Sequence, residues 1–118
     1  DFLNFEEVYL SAVLHRRVKG WKLHKRMTLN LVVVFGVIKF VCYDNRSGSP
    51  TFGNFFECVL SRQESFCRLH VPPNIWVAFQ GVADGESMLI NIADLIHDPN
   101  ESETKKLSEF NYDWSIKK

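Results

Sequence analysis

The chain has 118 residues, 46% hydrophobic and 14% aromatic, enough apolar mass for one domain with its own core and too much for a disordered segment. Fourteen Lys and Arg balance fourteen Asp and Glu, which removes the electrostatic drive that a broad nucleic-acid interface needs. The longest apolar run, residues 31–38, is too short to cross a bilayer, and no secretory leader is read at the start. The expectation is a single domain over residues 1–118, cytoplasmic, with Cys42, Cys58 and Cys67 as reduced, buried thiols, since three cysteines without a CxxC pattern form neither a disulfide framework nor a metal site.

Strand signals dominate the chain. Residues 8–14 (VYLSAVL) alternate roughly, and residues 17–24 mix basic and apolar side chains. Residues 28–35 and 37–43 are rich in β-branched and aromatic types and meet at Gly36, where a tight turn or bend is expected. Residues 44–50 (DNRSGSP) are turn chemistry throughout. Further strands are predicted over 55–61, 66–71, 75–80 and 88–94, each bounded by Gly, Pro, Asn, Asp or Ser. Many short strands with turns between them predict an all-β antiparallel sandwich or barrel. One short C-terminal helix is expected, with Asp98 as N-cap, Pro99 at the first helical position and Glu101 completing a capping box, running to about residue 107 or 109. The aromatic tail Asn111-Tyr112-Asp113-Trp114 should pack back on the sheet. The apolar edge Phe2-Leu3-Asn4-Phe5 needs cover, which points to a homodimer.

Chemistry-bearing residues are few. Asn30 and Asn91 interrupt otherwise apolar strands, and an unpaired amide there costs about 1–3 kcal/mol, so each must bond to a neighbouring loop or to a ligand. His24 stands among Lys22, Lys25 and Arg26; a neutral imidazole can act as a general base. The same basic tract, with Lys22 and Arg26 in it, reads either as a solvated face or as a cradle for a diphosphate. His15, His24, His70 and His97 are scattered without metal-ligand spacing, no nucleophile elbow is present, and no Gly-rich phosphate loop is found, so no metal and no cofactor is expected.

The order of these features resembles the dTDP-4-dehydrorhamnose 3,5-epimerase family of the cupin superfamily. The resemblance rests on residues 20–24 (GWKLH), LNLVVVFGVIKFVCYD, the run Arg46-Ser47-Gly48-Ser49-Pro50-Thr51-Phe52-Gly53, Leu60-Ser61, Val71-Pro72-Pro73 and Asp94, covering roughly residues 17–100. It implies a cupin-type jelly-roll β-barrel, usually dimeric, whose interior binds a nucleotide-linked 4-keto-6-deoxy sugar. It further implies His24 as the catalytic base and aligns His24 and Asn30 with pocket positions; Asn91, the other isolated amide, is expected in the same cavity, with Lys22 or Arg26 near its mouth as substrate-binding groups. The family's acidic tyrosine falls at Ile90, its supporting lysine at Asn30 and a second histidine near Val77, while the carboxylate that orients the base is expected beyond this chain. Two functions follow as expectations: a sugar-nucleotide epimerase or isomerase, or a catalytically silent cupin that binds a sugar nucleotide or a protein partner.

Overall fold

The computed structural model describes residues 5–116. Among the described residues nine strands form two antiparallel sheets: β1 (Glu7–Leu14), β2 (Val18–His24), β3 (Leu29–Phe35), β4 (Val37–Tyr43), β5 (Phe55–Ser61), β6 (Leu69–Val71), β7 (Trp76–Gly81), β8 (Glu86–Ala93) and β9 (Ser102–Thr104). The first sheet has the order β1-β8-β3-β6 and the second β5-β4-β7-β2-β9. Apolar residues at alternate positions of both sheets meet between them, with Leu31 and Leu89 from the first facing Phe40 and Val77 from the second in one buried cluster. This is the expected all-β sandwich of a cupin jelly roll.

β3 and β4 adjoin in sequence but lie in different sheets, so Gly36 is the corner where the chain crosses over rather than a hairpin turn. Its φ of +75° suits glycine, and a Cβ there would stand 2.2 Å from the Ser87 Oγ. Ser87 is fully buried at that corner, accepting from the Val37 N–H at 3.1 Å and donating to the Val37 carbonyl at 3.2 Å.

The SGSPTFG loop is organised around Asp44. Its carboxylate accepts from Arg46 Nε and Nη2, both at 2.9 Å, from Ser49 Oγ at 2.7 Å, and from Thr51 Oγ1. The Arg46 guanidinium, followed by the Thr51 and Ser49 hydroxyls, holds this carboxyl well below the usual carboxylate range. The motif is therefore a loop scaffold.

Two expectations are corrected. The C-terminal helix is absent: among the described residues there is no α-helix, only 3-10 turns at Pro99–Glu101 and Leu107–Glu109 with β9 between them. Asp98 does cap the first turn, accepting from the Asn100 N–H at 2.9 Å. Glu101, however, turns its carboxylate towards β2 and the residues after it, and Ser102–Thr104 go on to pair with Lys22, Leu23 and His24. The pairing edge of β2 thus outcompetes helix propagation. The second correction concerns the thiols: Cys42 and Cys58 are half-buried but Cys67 is exposed. Burial, with Cys58 nearby, pushes the Cys42 thiol up to about 12. Of the apolar edge Phe2-Leu3-Asn4-Phe5, the first three residues lie outside the described residues and Phe5 is exposed. No helix among the described residues is long and apolar enough to cross a membrane.

Candidate active site

A cavity of about 450 Å3 opens between the sheets. The second sheet brings Lys19, Lys22 and His24 to it from β2, and Val77 and Phe79 from β7. The first sheet brings Tyr9 and Ser11 from β1, and Leu89 and Asn91 from β8. A bulge in β2 makes this set possible: Lys19 pairs with Phe79 and Lys22 with Val77, three residues against two. The extra residue shifts the side-chain alternation, so Lys19 and Lys22 both reach the cavity while Trp21 is buried on the other side of the sheet.

His24 ends β2 and is fixed on both sides, its carbonyl accepting from the Asn74 N–H at 2.7 Å and its Cα paired with Ser102 of β9. Its ring is almost buried, and Nδ1 bonds to Glu101 Oε1. The other carboxylate oxygen, Oε2, accepts from the backbone N–H groups of Arg26 at 3.1 Å and Met27 at 3.2 Å. Burial raises the proton affinity of Glu101. The His24 hydrogen bond, the two backbone donors and the His24 charge outweigh that and hold the carboxyl below its ordinary value. An ionised carboxylate can only accept, so His24 Nδ1 carries a proton, and when the ring is neutral Nε2 is the nitrogen that can take one. The neighbours of His24 in sequence are cations; its partner in space is a carboxylate.

Sequence reasoning missed this partner because Glu101 also fits a capping box. The carboxylate expected beyond the chain has a counterpart within it. The signal that could have found it is the Pro99 turn followed by a strand, which delivers an acid beside the end of β2.

The structure brings His24, Lys22 and Asn91 to one cavity and leaves Asn30 and Arg26 outside its lining. Asn30 is on the opposite side of β3 from Leu29 and Leu31, with Nδ2 donating to the Ile92 carbonyl at 3.2 Å and Oδ1 paired with His70 Nδ1 at 3.3 Å. Its backbone N–H donates to Asn91 Oδ1 at 3.1 Å, so the two amides expected to need partners brace the β3–β8 pairing. The Arg26 guanidinium sits at the surface against Asp98 at 3.2 Å. Ile90 pairs with Leu10 and Val32 on the outer side of the first sheet, while Leu89 and Asn91 face inward. Val77, where a second histidine was expected, does line the cavity. His97, read from sequence as a loop-margin residue, lines it too, its ring meeting Tyr9 edge-on at 6.3 Å. Among the described residues, no group of three or more His, Cys, Asp and Glu is placed to hold a metal ion.

No family model matches the sequence, and no curated protein does. Solved structures do. The chain is similar to the dTDP sugar isomerase from Desulfovibrio desulfuricans G20, with a TM-score of 0.92 and 36% identity over 96% of this chain and 73% of that one. It shares its fold with the dTDP-4-dehydrorhamnose 3,5-epimerase from Elizabethkingia anophelis NUHP1, at a TM-score of 0.83 and 20% identity over 97% of this chain and 64% of that one. The epimerase of the same name from Sulfolobus tokodaii gives a TM-score of 0.81 and 23% identity over 94% of this chain and 64% of that one. Against these two epimerases the chain spans under two thirds of their length. The extent and identity of the first match establish that the chain belongs to one family with that dTDP sugar isomerase, and the fold is the one it shares with the dTDP-4-dehydrorhamnose 3,5-epimerases.

Proposed function

We propose that the chain acts on a dTDP-linked 4-keto-6-deoxy sugar as an epimerase or isomerase, with His24 as the general base. The observation that carries this reading is the buried His24–Glu101 pair at the wall of the cavity between the sheets. His24 Nε2 takes the proton from the carbon beside the ketone, and Glu101 holds the ring and stabilises the imidazolium that forms. Lys19 and Lys22 supply positive charge for the diphosphate or the enolate oxygen, and Asn91 offers an amide to the sugar. Arg26 contributes through its N–H to Glu101, and Asn30 through its bonds to β8. In solution the functional unit is a homodimer formed through the apolar outer face of the first sheet.

Support for the substrate class comes from family membership. A relative of the same fold, a 3'-monoepimerase from Streptomyces bikiniensis, was solved in complex with dTDP-quinovose. The test is proton–deuterium exchange on a panel of dTDP-4-keto-6-deoxy sugars in heavy water. Exchange that disappears in His24→Ala supports the enzyme. Tight binding without exchange supports the silent, sugar-nucleotide-binding reading instead.

A further inference from the structure

A second cavity, also of about 450 Å3, lies on the outer face of the second sheet and shares no lining residue with the one that holds His24. Its floor is a row across the sheet: Val59 of β5, Lys39 of β4 and Gln80 of β7, set side by side by the strand register. Tyr112, Ser115 and Ile116 of the C-terminal segment form the wall that stands on this row. Gln80 is 2% exposed, and its Nε2 uses both hydrogens on carbonyls, donating to Arg16 at 3.1 Å and to Trp114 at 2.9 Å. Two carbonyl partners fix which end of the amide is nitrogen, so Oε1 is the free acceptor, and it is buried without a donor. On the residue that Gln80 holds, Trp114 Nε1 is a donor buried without an acceptor. Buried polar groups of this kind are costly and call for an explanation.

The charges of the walls narrow what can answer them. Lys39 holds its ammonium over the Tyr112 and Trp114 rings, 5.0 and 5.3 Å from their centroids. Glu57 accepts from the Tyr112 hydroxyl in the same cavity, and Asp113 adds a second carboxylate. A cationic ligand meets Lys39 there, and an anionic one meets the two carboxylates. A hydroxyl is neutral, donates to an amide oxygen and accepts from an ammonium.

We propose that this second cavity binds a neutral polyhydroxyl ligand of monosaccharide size. Its hydroxyls donate to Gln80 Oε1 and to Glu57 and accept from Lys39, while Val59 and Val82 take its C–H face. Oε1 is shut off from bulk water, so a hydroxyl reaches it by moving the Trp114 segment outward, and the Trp114 indole N–H reports the event. The site stands apart from the reaction proposed above and uses none of its residues.

The experiment is a titration of the full chain with free D-glucose, D-galactose and myo-inositol, followed by nuclear magnetic resonance through the indole N–H signals of its three tryptophans. The Trp114 signal, assigned with Trp114→Phe, should shift most, saturating in the millimolar range expected of so small a ligand. D-Glucuronate and D-glucosamine, charged in opposite senses, should bind about tenfold more weakly or worse. Lys39→Met keeps an apolar chain against the two rings and should weaken binding about tenfold. Val59→Trp, at a position 48% exposed, fills the cavity from the surface and should abolish binding with an unchanged melting temperature. No saturable shift with any of the three polyols, the result expected if an ordered water alone answers Gln80, overturns the site. So does a Trp114 shift that persists unchanged in both variants, or glucuronate or glucosamine binding as well as glucose. None of these readings depends on His24 or on turnover, so the site and the proposed reaction stand or fall separately.

Discussion

The outer face of the second sheet lies under the C-terminal segment, where Leu107, Phe110, Tyr112 and Trp114 pack on Trp21, Val41 and Trp76, whereas the outer face of the first sheet has no such cover among the described residues. There Val8, Leu10 and Leu14 of β1 are 48%, 67% and 55% exposed, beside Ile90 and Ile92 of β8. Both sheets are apolar on two sides, so both strand patterns look alike in sequence. The difference is that one face is satisfied within the chain and contributes to the stability of a single molecule. The other can contribute only when something else covers it. The covering segment also does more than cover: the stretch that ends in the aromatic strap begins with Glu101 and β9, so the His24 partner and the cover of the second sheet arrive together.

The largest expected effect tests the covered face. Trp21 is fully buried, meets Phe110 edge-on at 5.2 Å, and donates from Nε1 to the Leu107 carbonyl at 3.2 Å. Trp21→Ala should lose about 3–5 kcal/mol in urea unfolding. Leu10→Ala on the bare face should change the same measurement by less than about 0.5 kcal/mol at concentrations where the protein is monomeric. Equal losses would mean that the two faces are equally covered.

A smaller effect is expected at the junction between cover and chemistry. Glu101→Gln keeps the shape but puts an amide where the N–H groups of Arg26 and Met27 and the His24 ring all donate, and should cost about 1–3 kcal/mol. It also carries a pH signature. The Glu101 carboxyl is held below its ordinary value in the folded protein, so its contribution is complete above the unfolded value of about 4.3 and is lost as pH falls through the folded one. Melting temperature should therefore drop more steeply below about pH 4 in the parent than in Glu101→Gln. Parallel curves would show that the His24–Glu101 pair adds nothing to folding.

Much of the fold was legible because strand period and turn chemistry are local. Residues 37–43 and 55–61 were bounded as the structure has them, and the others differ at their ends. What was not legible depends on distance. The turn at Asp98 was foreseen, but whether the chain continued as helix or strand was decided by β2, nearly eighty residues earlier, offering a free edge. Gly36 was marked as a bend, yet nothing local said that it crosses between sheets. The cavity was half legible: His24, Lys22 and Asn91 were named, but Tyr9 and Ser11 were passed over as part of an apolar strand. Alternation along β1 puts both on the inner face, and two polar groups there were the available clue. Asn30 was misplaced by the same rule, because adjacent residues of a strand face opposite ways.

The smallest effect on the fold, and the sharpest on assembly, is expected on the bare face. A two-fold axis sets a patch against its own copy, which an apolar patch tolerates and a like-charged one does not. Leu10 stands opposite Ile90, which in turn pairs with Val32, so a charge at Leu10 falls within the apolar surface rather than at its rim. At 67% exposure in one chain, Leu10→Lys leaves the single molecule within about 0.5 kcal/mol of the parent. Across a two-fold contact it would bury two ammonium groups without partners, and burying unpaired charge costs several kcal/mol. Sedimentation at tens of micromolar should show a dimer for the parent and a monomer for Leu10→Lys, with equal melting temperatures when both are diluted to the monomer. A parent that sediments as a monomer would leave the bare face without an occupant and remove the homodimer from the functional reading. A Leu10→Lys dimer as tight as the parent would move the contact to another surface.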